Sequence, residues 1–182
     1  SIDKVSMENV ADEAGIGIAT LYRYYRTKSE LVVAVGTHVW SNFIRDYMPI
    51  RNEDNTTASE ELEFFLDSFL ELYKNHKKLL CFNQFFNIYI RNESVSQKTL
   101  NSYNEMVDQL AMRFHKTYVK GKNDKTLCTE VSENSMFLSI MHLMLAAITR
   151  YAVGLAYEKD IESDNELVLL KNMLMHEFSR KK

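Results

Sequence analysis

Residues 5–35 read VSMENVADEAGIGIATLYRYYRTKSELVVAV, a stretch whose punctuation leaves the backbone few solutions. Val5, Met7, Val10, Ala11 and Ala14 recur at helical spacing, and Ser6 stands where a helix N-cap belongs. Val5 and Val10 take the two positions of a hydrophobic staple around that cap. Gly15 follows, and glycine reaches the left-handed backbone region that closes a helix without steric penalty. The chain restarts as IGIATLYRYY, where Leu21 and Tyr25 face inward and Ile18, Thr20, Tyr22 and Tyr24 are left for other surfaces. Thr27, Lys28, Ser29 and Glu30 form a capping box that opens a third helix. Two short helices joined by a glycine turn, the second with polar outward residues, have the layout of a helix-turn-helix.

Beyond this stretch, one proline and few glycines interrupt apolar residues set at helical spacing, which predicts an all-α protein with length enough for a core. The third helix is expected from Lys28 to about Met48, where Pro49 stops it. Its apolar residues Leu31, Val35, Val39, Trp40, Phe43, Ile44 and Tyr47 run past the first two helices, making it the connector to the rest. Residues 1–48 therefore form one domain, with the connector over about 28–48, and residues 49–182 a larger helical one. Residues 51–59 read as the loop between them.

Thr57 with Glu60 is a second capping box, opening a helix to about Tyr73 with Leu62, Phe65, Leu66, Phe69, Leu70 and Tyr73 on its apolar face. Residues 74–78 (KNHKK) read as a solvated helix end that complements the macrodipole. The most aromatic segment follows at 79–91. Ser94 with Gln97 is expected to cap a long helix that Gly121 ends, with Leu100, Tyr103, Val107, Leu110, Phe114 and Tyr118 inward. Residues 136–157 are apolar enough to raise a bilayer span, but Glu133, His142, Arg150 and Glu158 in or beside them favour a helix buried on nearly all faces. Ser163 with Glu166 is read as the cap of the last helix. There Leu167, Leu170, Leu174 and Phe178 form one stripe, and Leu169, Met173 and His176 another that needs a partner. Two terminal helices with apolar surface on opposite sides point to a two-fold dimer; the alternative is a monomer with a thick core.

The wording of residues 6–31 is more specific than their spacing. Ser6, Val10-Ala11, Ala14-Gly15-Ile16, Thr20-Leu21-Tyr22, Tyr24-Tyr25, Lys28 and Leu31 stand in register with T-x-x-x-I-A-x-x-A-G-V-S-x-G-T-L-Y-x-Y-F-x-x-K-x-x-L. In this the chain resembles the TetR family of bacterial transcription regulators. Gly17 stands where the family usually has serine, and Ala19 where it has glycine. The first change leaves the recognition helix without a side-chain cap; the second narrows the approach to DNA, which points to altered base preference. Family members also carry a helix ahead of the position of Ile2, and it is missing here. The resemblance implies an N-terminal helix-turn-helix followed by a larger helical ligand-binding and dimerisation domain, paired through its last two long helices. On the matching positions, Gly17, Ile18, Thr20 and Tyr22 would meet base edges while Ser6, Tyr24 and Lys28 hold phosphates.

The net charge of −3 does not announce a nucleic-acid binder, and acidic residues outnumber basic ones in 1–48. Hydroxyls, backbone N–H groups and helix N-termini can also contact phosphate. Cys81 and Cys128 form no metal or redox motif and are read as buried free thiols of separate helices, suiting a reducing cytoplasm. His38, His76, His115, His142 and His176 lack the spacing of di-iron or zinc sites, and no nucleophile motif or phosphate loop occurs; neither a cofactor nor catalysis is expected. Phe65, Phe69, Phe82, Phe86, Tyr103, Phe137 and Met141 offer the lining of an apolar cavity, with Asn87, His142 and Arg150 to orient a ligand. The plain alternative is that these residues are core, and that His142 is a hydrogen-bonded core histidine.

These readings converge on a ligand-responsive transcription repressor of the cytoplasm. It would bind a palindromic operator as a homodimer, away from any membrane, and be released by a small, largely apolar effector. The alternative is an α-helical ligand-binding or scaffolding dimer with a non-functional helix-turn-helix.

Overall fold

The computed structural model describes residues 2–48, 55–154 and 162–180. After a 3-10 turn at Ile2–Lys4 come α1 (Met7–Glu13), α2 (Ile18–Tyr24) and α3 (Lys28–Tyr47). The remaining helices are α4 (Ala58–Asn75), α5 (Lys77–Asn92), α6 (Gln97–Asp124), α7 (Glu133–Val153) and α8 (Ser163–Phe178). Among the described residues the only extended pairing is a single bridge between Leu127 and Ser179. The chain is all-α, an N-terminal helix-turn-helix followed by a larger helical domain.

Apolar burial divides into three clusters strung along α3. Met7, Ala11 and Leu21 close the small N-terminal unit, with Val10, Tyr25 and Leu31 packed on them. Val32 and Val33 of α3 meet Phe86 and Tyr89 of α5. Gly36 lets the two helices approach: a Cβ there would lie 2.8 Å from the Phe86 ring. Further along, Trp40, Phe43 and Ile44 enter the main core, where Leu62, Leu66, Phe69, Leu72, Leu80, Met136, Ile140, Met144 and Ile148 lose all contact with water.

The helix ends explain why the elements sit where they do. Thr57 and Glu60 form the expected reciprocal box at the start of α4. The next free amides are capped from a distance: Asp124 accepts from Ala58 N (2.8 Å) and Thr126 Oγ1 from Ser59 N (3.1 Å). The carbonyls at the end of α3 are likewise closed by Arg113 of α6, which donates to Ile44 O (3.2 Å) and Met48 O (2.8 Å). Pro49, read as the stop of this helix, lies outside the described residues, as do Tyr157 and Glu158.

Several expectations need correction. Val5 is exposed, so no staple closes over Ser6; instead Asn9 completes a capping box with it. At α3 only half the box forms, because the Glu30 carboxylate reaches past Thr27 to Arg26 N (2.7 Å). Ser96, not Ser94, caps α6, and that helix runs on through Gly121 to a left-handed Lys125 (φ 61°). Gly121 is inside the helix because Leu127 folds back onto it. Met106 takes the buried place expected of Val107. Ser163 begins α8 without capping it and bonds the Tyr73 hydroxyl (2.8 Å) instead.

Cys81 and Cys128 are half-buried rather than buried, and Cys128 lies in the α6–α7 connection, not in a helix. The helix read as buried all round, α7, leaves Leu138, Leu143 and Val153 exposed. It is long and apolar enough to cross a bilayer (mean hydropathy 1.6), yet Met136, Ile140, Met144 and Ile148 on it are wholly buried by the other helices.

Candidate functional site

The glycine turn is fully formed. Gly15 has φ 65°, Gly15 N bonds Asp12 O and Ile16 N bonds Ala11 O, the paired hydrogen bonds of a Schellman motif. This closure of α1 aims the chain into α2, where Leu21 plugs the small core and Tyr25 packs beside it. The other side of α2 faces out: Tyr22 is 45% and Tyr24 69% exposed, Ile18 and Ala19 are exposed, and Thr20 is half-buried. Gly17 precedes the helix with no side-chain cap, and a Cβ there would meet nothing within 4 Å. Thr20 N is taken up by Gly17 O (2.8 Å), and no side chain caps the amides ahead of it.

The three residues expected to hold phosphate differ in how occupied they are. Tyr24 is the freest, lying under the Arg23 guanidinium at 5.4 Å from the ring centre. Ser6 Oγ accepts from Asn9 N (3.1 Å). The neighbouring Glu8 carboxyl is held below its ordinary value, chiefly by its own backbone N–H and then by the Ser6 hydroxyl. Lys28 donates to Asp3 O (3.1 Å) and lies over the Tyr89 ring, so it ties the chain's first turn to α3 and α5. Arg23, exposed on α2 itself, was missed; the signal was a cation between two tyrosines.

In the larger domain the ten residues expected around an effector do not share one cavity. Phe69, Phe86 and Phe137 are packed in the core, and Phe65 stacks edge-on against Phe69. Tyr103, against the Phe86 ring, is buried enough to push its phenol up to about 12. Asn87, Met141, His142 and Arg150 line an open cleft of about 670 Å³ between α5 and α7. His142 is exposed there, so the reading of it as a core histidine is corrected.

Phe82 lines a second cleft, about 890 Å³, between α3, the end of α4 and the start of α5. Its other residues include Val39, Tyr47, His76, Lys77 and Lys78, none of them expected from the sequence. The basic run at 74–78 was the available signal. Its reading as a favourable helix end holds only for Lys74, in the last turn of α4; Lys77 and Lys78 sit in the first turn of α5, against the dipole. Among the described residues no cluster of three or more His, Cys, Asp or Glu side chains is placed to hold a metal ion.

A glycine-turned helix pair presenting one exposed face, mounted through a long helix on a larger helical domain, defines a helix-turn-helix protein. Residues 1–35 match the family model of bacterial regulatory proteins of the tetR family. An HTH-type transcriptional regulator of Staphylococcus aureus is 34% identical over 79 residues, 43% of this chain and 42% of that protein, so the match spans less than half its length. Another, from a different strain, is 27% identical over 169 residues, 90% of this chain and 87% of its own.

Among solved structures, a TetR transcription regulator from Haloarcula marismortui superposes with a TM-score of 0.71 at 16% identity, over 98% of this chain and 89% of that one. FadR from Bacillus subtilis, in complex with stearoyl-CoA, gives 0.66 at 16% identity over 97% and 88%. A regulator from Saccharomonospora viridis in complex with choline gives 0.70 at 14% over 99% and 90%. These structural likenesses show the fold. The N-terminal segment thus matches the tetR family model, and the chain as a whole is similar in sequence to HTH-type regulators.

Proposed function

We propose that the chain is a transcription repressor of the cytoplasm that binds a palindromic operator as a homodimer and is released by a small effector. Residues 1–48 would be the DNA-binding domain with its connector, and residues 49–182 the effector and dimerisation domain. The observation that carries this is the orientation of α2: Leu21 anchors it while Ile18, Tyr22 and Tyr24 are exposed and Thr20 is half-buried beside them. Thr20 and Tyr22, with the open amides at Gly17 and Ile18, would read base edges in the major groove; Ser6, Tyr24 and Lys28 would meet the backbone. The relatives named as HTH-type transcriptional regulators support the same reading.

Dimerisation is supported by α7 and α8. Leu169 and Met173 are each 61% exposed, with Val168, Leu138 and Leu143 also open to water. A paired molecule would set two copies of α2 about 34–36 Å apart, one turn of DNA. Effector binding is supported by the two clefts and by the ligands of FadR and the Saccharomonospora viridis regulator. An effector acts as a switch only through differential affinity: full reversal needs about 5.5 kcal/mol in favour of the DNA-incompetent state.

The test is gel retardation of inverted repeats flanking the coding region. The protein should shift one of them, with affinity falling steeply as salt rises, and Thr20→Ala with Tyr22→Ala should lose the shift while keeping the fold by circular dichroism. The uncapped start of α2 at Gly17 and the acidic balance favour a second reading, a ligand-binding dimer whose helix-turn-helix no longer reads DNA. Absence of retardation at low salt, with ligand binding intact, would establish that one instead.

A further inference from the structure

Resting on the effector reading above, we propose that the cleft between α3, the end of α4 and the start of α5 is the effector site and takes an amphipathic monoanion, an apolar body ending in a carboxylate. The shape comes first. At about 890 Å³ the cleft falls within the range of about 300–1,000 Å³ typical of small-molecule sites. One wall is a single ridge of the connector: Val35, Val39, Phe43 and Tyr47 stand on four successive turns of α3, with Leu79 and Phe82 of α5 in the same lining. An apolar body laid there touches the connector along most of its length.

Charge selects the head group. Lys74, Lys77 and Lys78 line the cleft, all exposed and none in an ion pair among the described residues. The single carboxylate in the lining, Asp46, has both oxygens held by Arg45 (2.7 and 3.0 Å). Lys77 and Lys78 add to the positive end of α5, which has no side-chain cap and no acidic residue in its first turn. The Tyr73 ring, 4.5 Å from Lys77 Nζ, offsets only part of this.

His76, at the break between α4 and α5, supplies a further observation. Its Nε2 is buried with no hydrogen-bond partner among the described residues, while its ring lies edge-on to Phe43 (5.4 Å) and Tyr47 (4.7 Å). A buried nitrogen left unpaired is costly, and a carboxylate oxygen entering between these rings and the lysines would satisfy it, with the proton on Nε2. A cation would face three like charges. The fold alone does not choose between signs, since its likenesses include one complex with an acyl-CoA and one with choline. The lining does.

The test uses full-length protein without DNA and three probes of equal chain length: decanoate, decanol and decyltrimethylammonium. By equilibrium dialysis, decanoate should bind at least tenfold tighter than decanol. Lys77→Ala with Lys78→Ala should abolish that preference while leaving decanol binding unchanged. Equal affinity for the probes, preference for the cation, no binding of any, or a preference that survives in the variant each overturns the proposal. Retardation of the operator is measured in parallel, and the variant should still shift it. Loss of the shift would place these lysines on DNA and overturn the assignment. Decanoate binding by a protein that shifts no DNA would instead refute the regulator reading and leave the cleft's chemistry standing.

Discussion

Two glycines do opposite jobs. Gly15 is required for its backbone: φ is 65° and nothing crowds the site, so a side chain would fit in space but not in conformation. Gly15→Ala should lower stability by about 1–2 kcal/mol, the cost of an L-residue in the left-handed region, and Gly15→Asn by less; chemical denaturation measures both. Gly121 is required for its missing side chain. A Cβ there would lie 2.6 Å from Leu127, which is itself buried, so Gly121→Ala should cost about 1–3 kcal/mol by overpacking even though alanine is the better helix former. Only the first role was legible beforehand. A glycine after an apolar run signals a cap wherever the chain turns, but Gly121 answers to Leu127, whose return nothing local announces.

Among the elements, α4 depends most on distant parts of the chain. Its first amides are capped by Asp124 and Thr126, at the far end of α6, and Asp124 also accepts from Thr126 N (2.9 Å) and Oγ1 (2.8 Å). Burial pushes the Asp124 carboxyl up, but the Ala58 and Thr126 donors and the nearby Lys120 charge outweigh it and hold it below 3.8. A lowered folded value means the stabilisation is complete above 3.8 and disappears as pH falls through that lower value. Asp124→Asn would present an NH₂ to one of these donors, costing about 1–3 kcal/mol near neutrality and flattening the acid limb of a stability-versus-pH curve.

This tie was invisible in the sequence, whereas the Thr57–Glu60 box was plain, because one spans three residues and the other joins helices by packing. The same contrast governs the candidate sites. The α2 face was legible from the alternation of Leu21 with Tyr22 and Tyr24 over a single turn. The cleft at His76 was not, since an aromatic run looks alike whether it fills a core or lines a groove: Phe82 and Phe86 stand one turn apart on α5, yet Phe82 lines the cleft and Phe86 is buried.

For the whole molecule, the proposed dimer rests on the exposed residues of α8. Leu169→Lys with Met173→Lys replaces two outward apolar side chains, each 61% exposed and outside the buried core, so the monomer should keep its stability. Sedimentation should then show a dimer for the parent and a monomer for the variant at micromolar concentration, and operator affinity should fall at least a hundredfold because one half-site alone remains to be read. An unchanged dimer would move the interface elsewhere.

Trp40 is the only tryptophan of the chain, and it sits midway along α3 with its indole N–H donating to buried Asn83 of α5 (3.2 Å) and its ring edge-on to Phe43. The protein therefore carries one indole at the joint where α3 meets α5, beside the proposed effector cleft. Its emission should be blue-shifted at rest and should move whenever α3 slides against α5, giving a label-free optical readout of whether the proposed effector binds in solution.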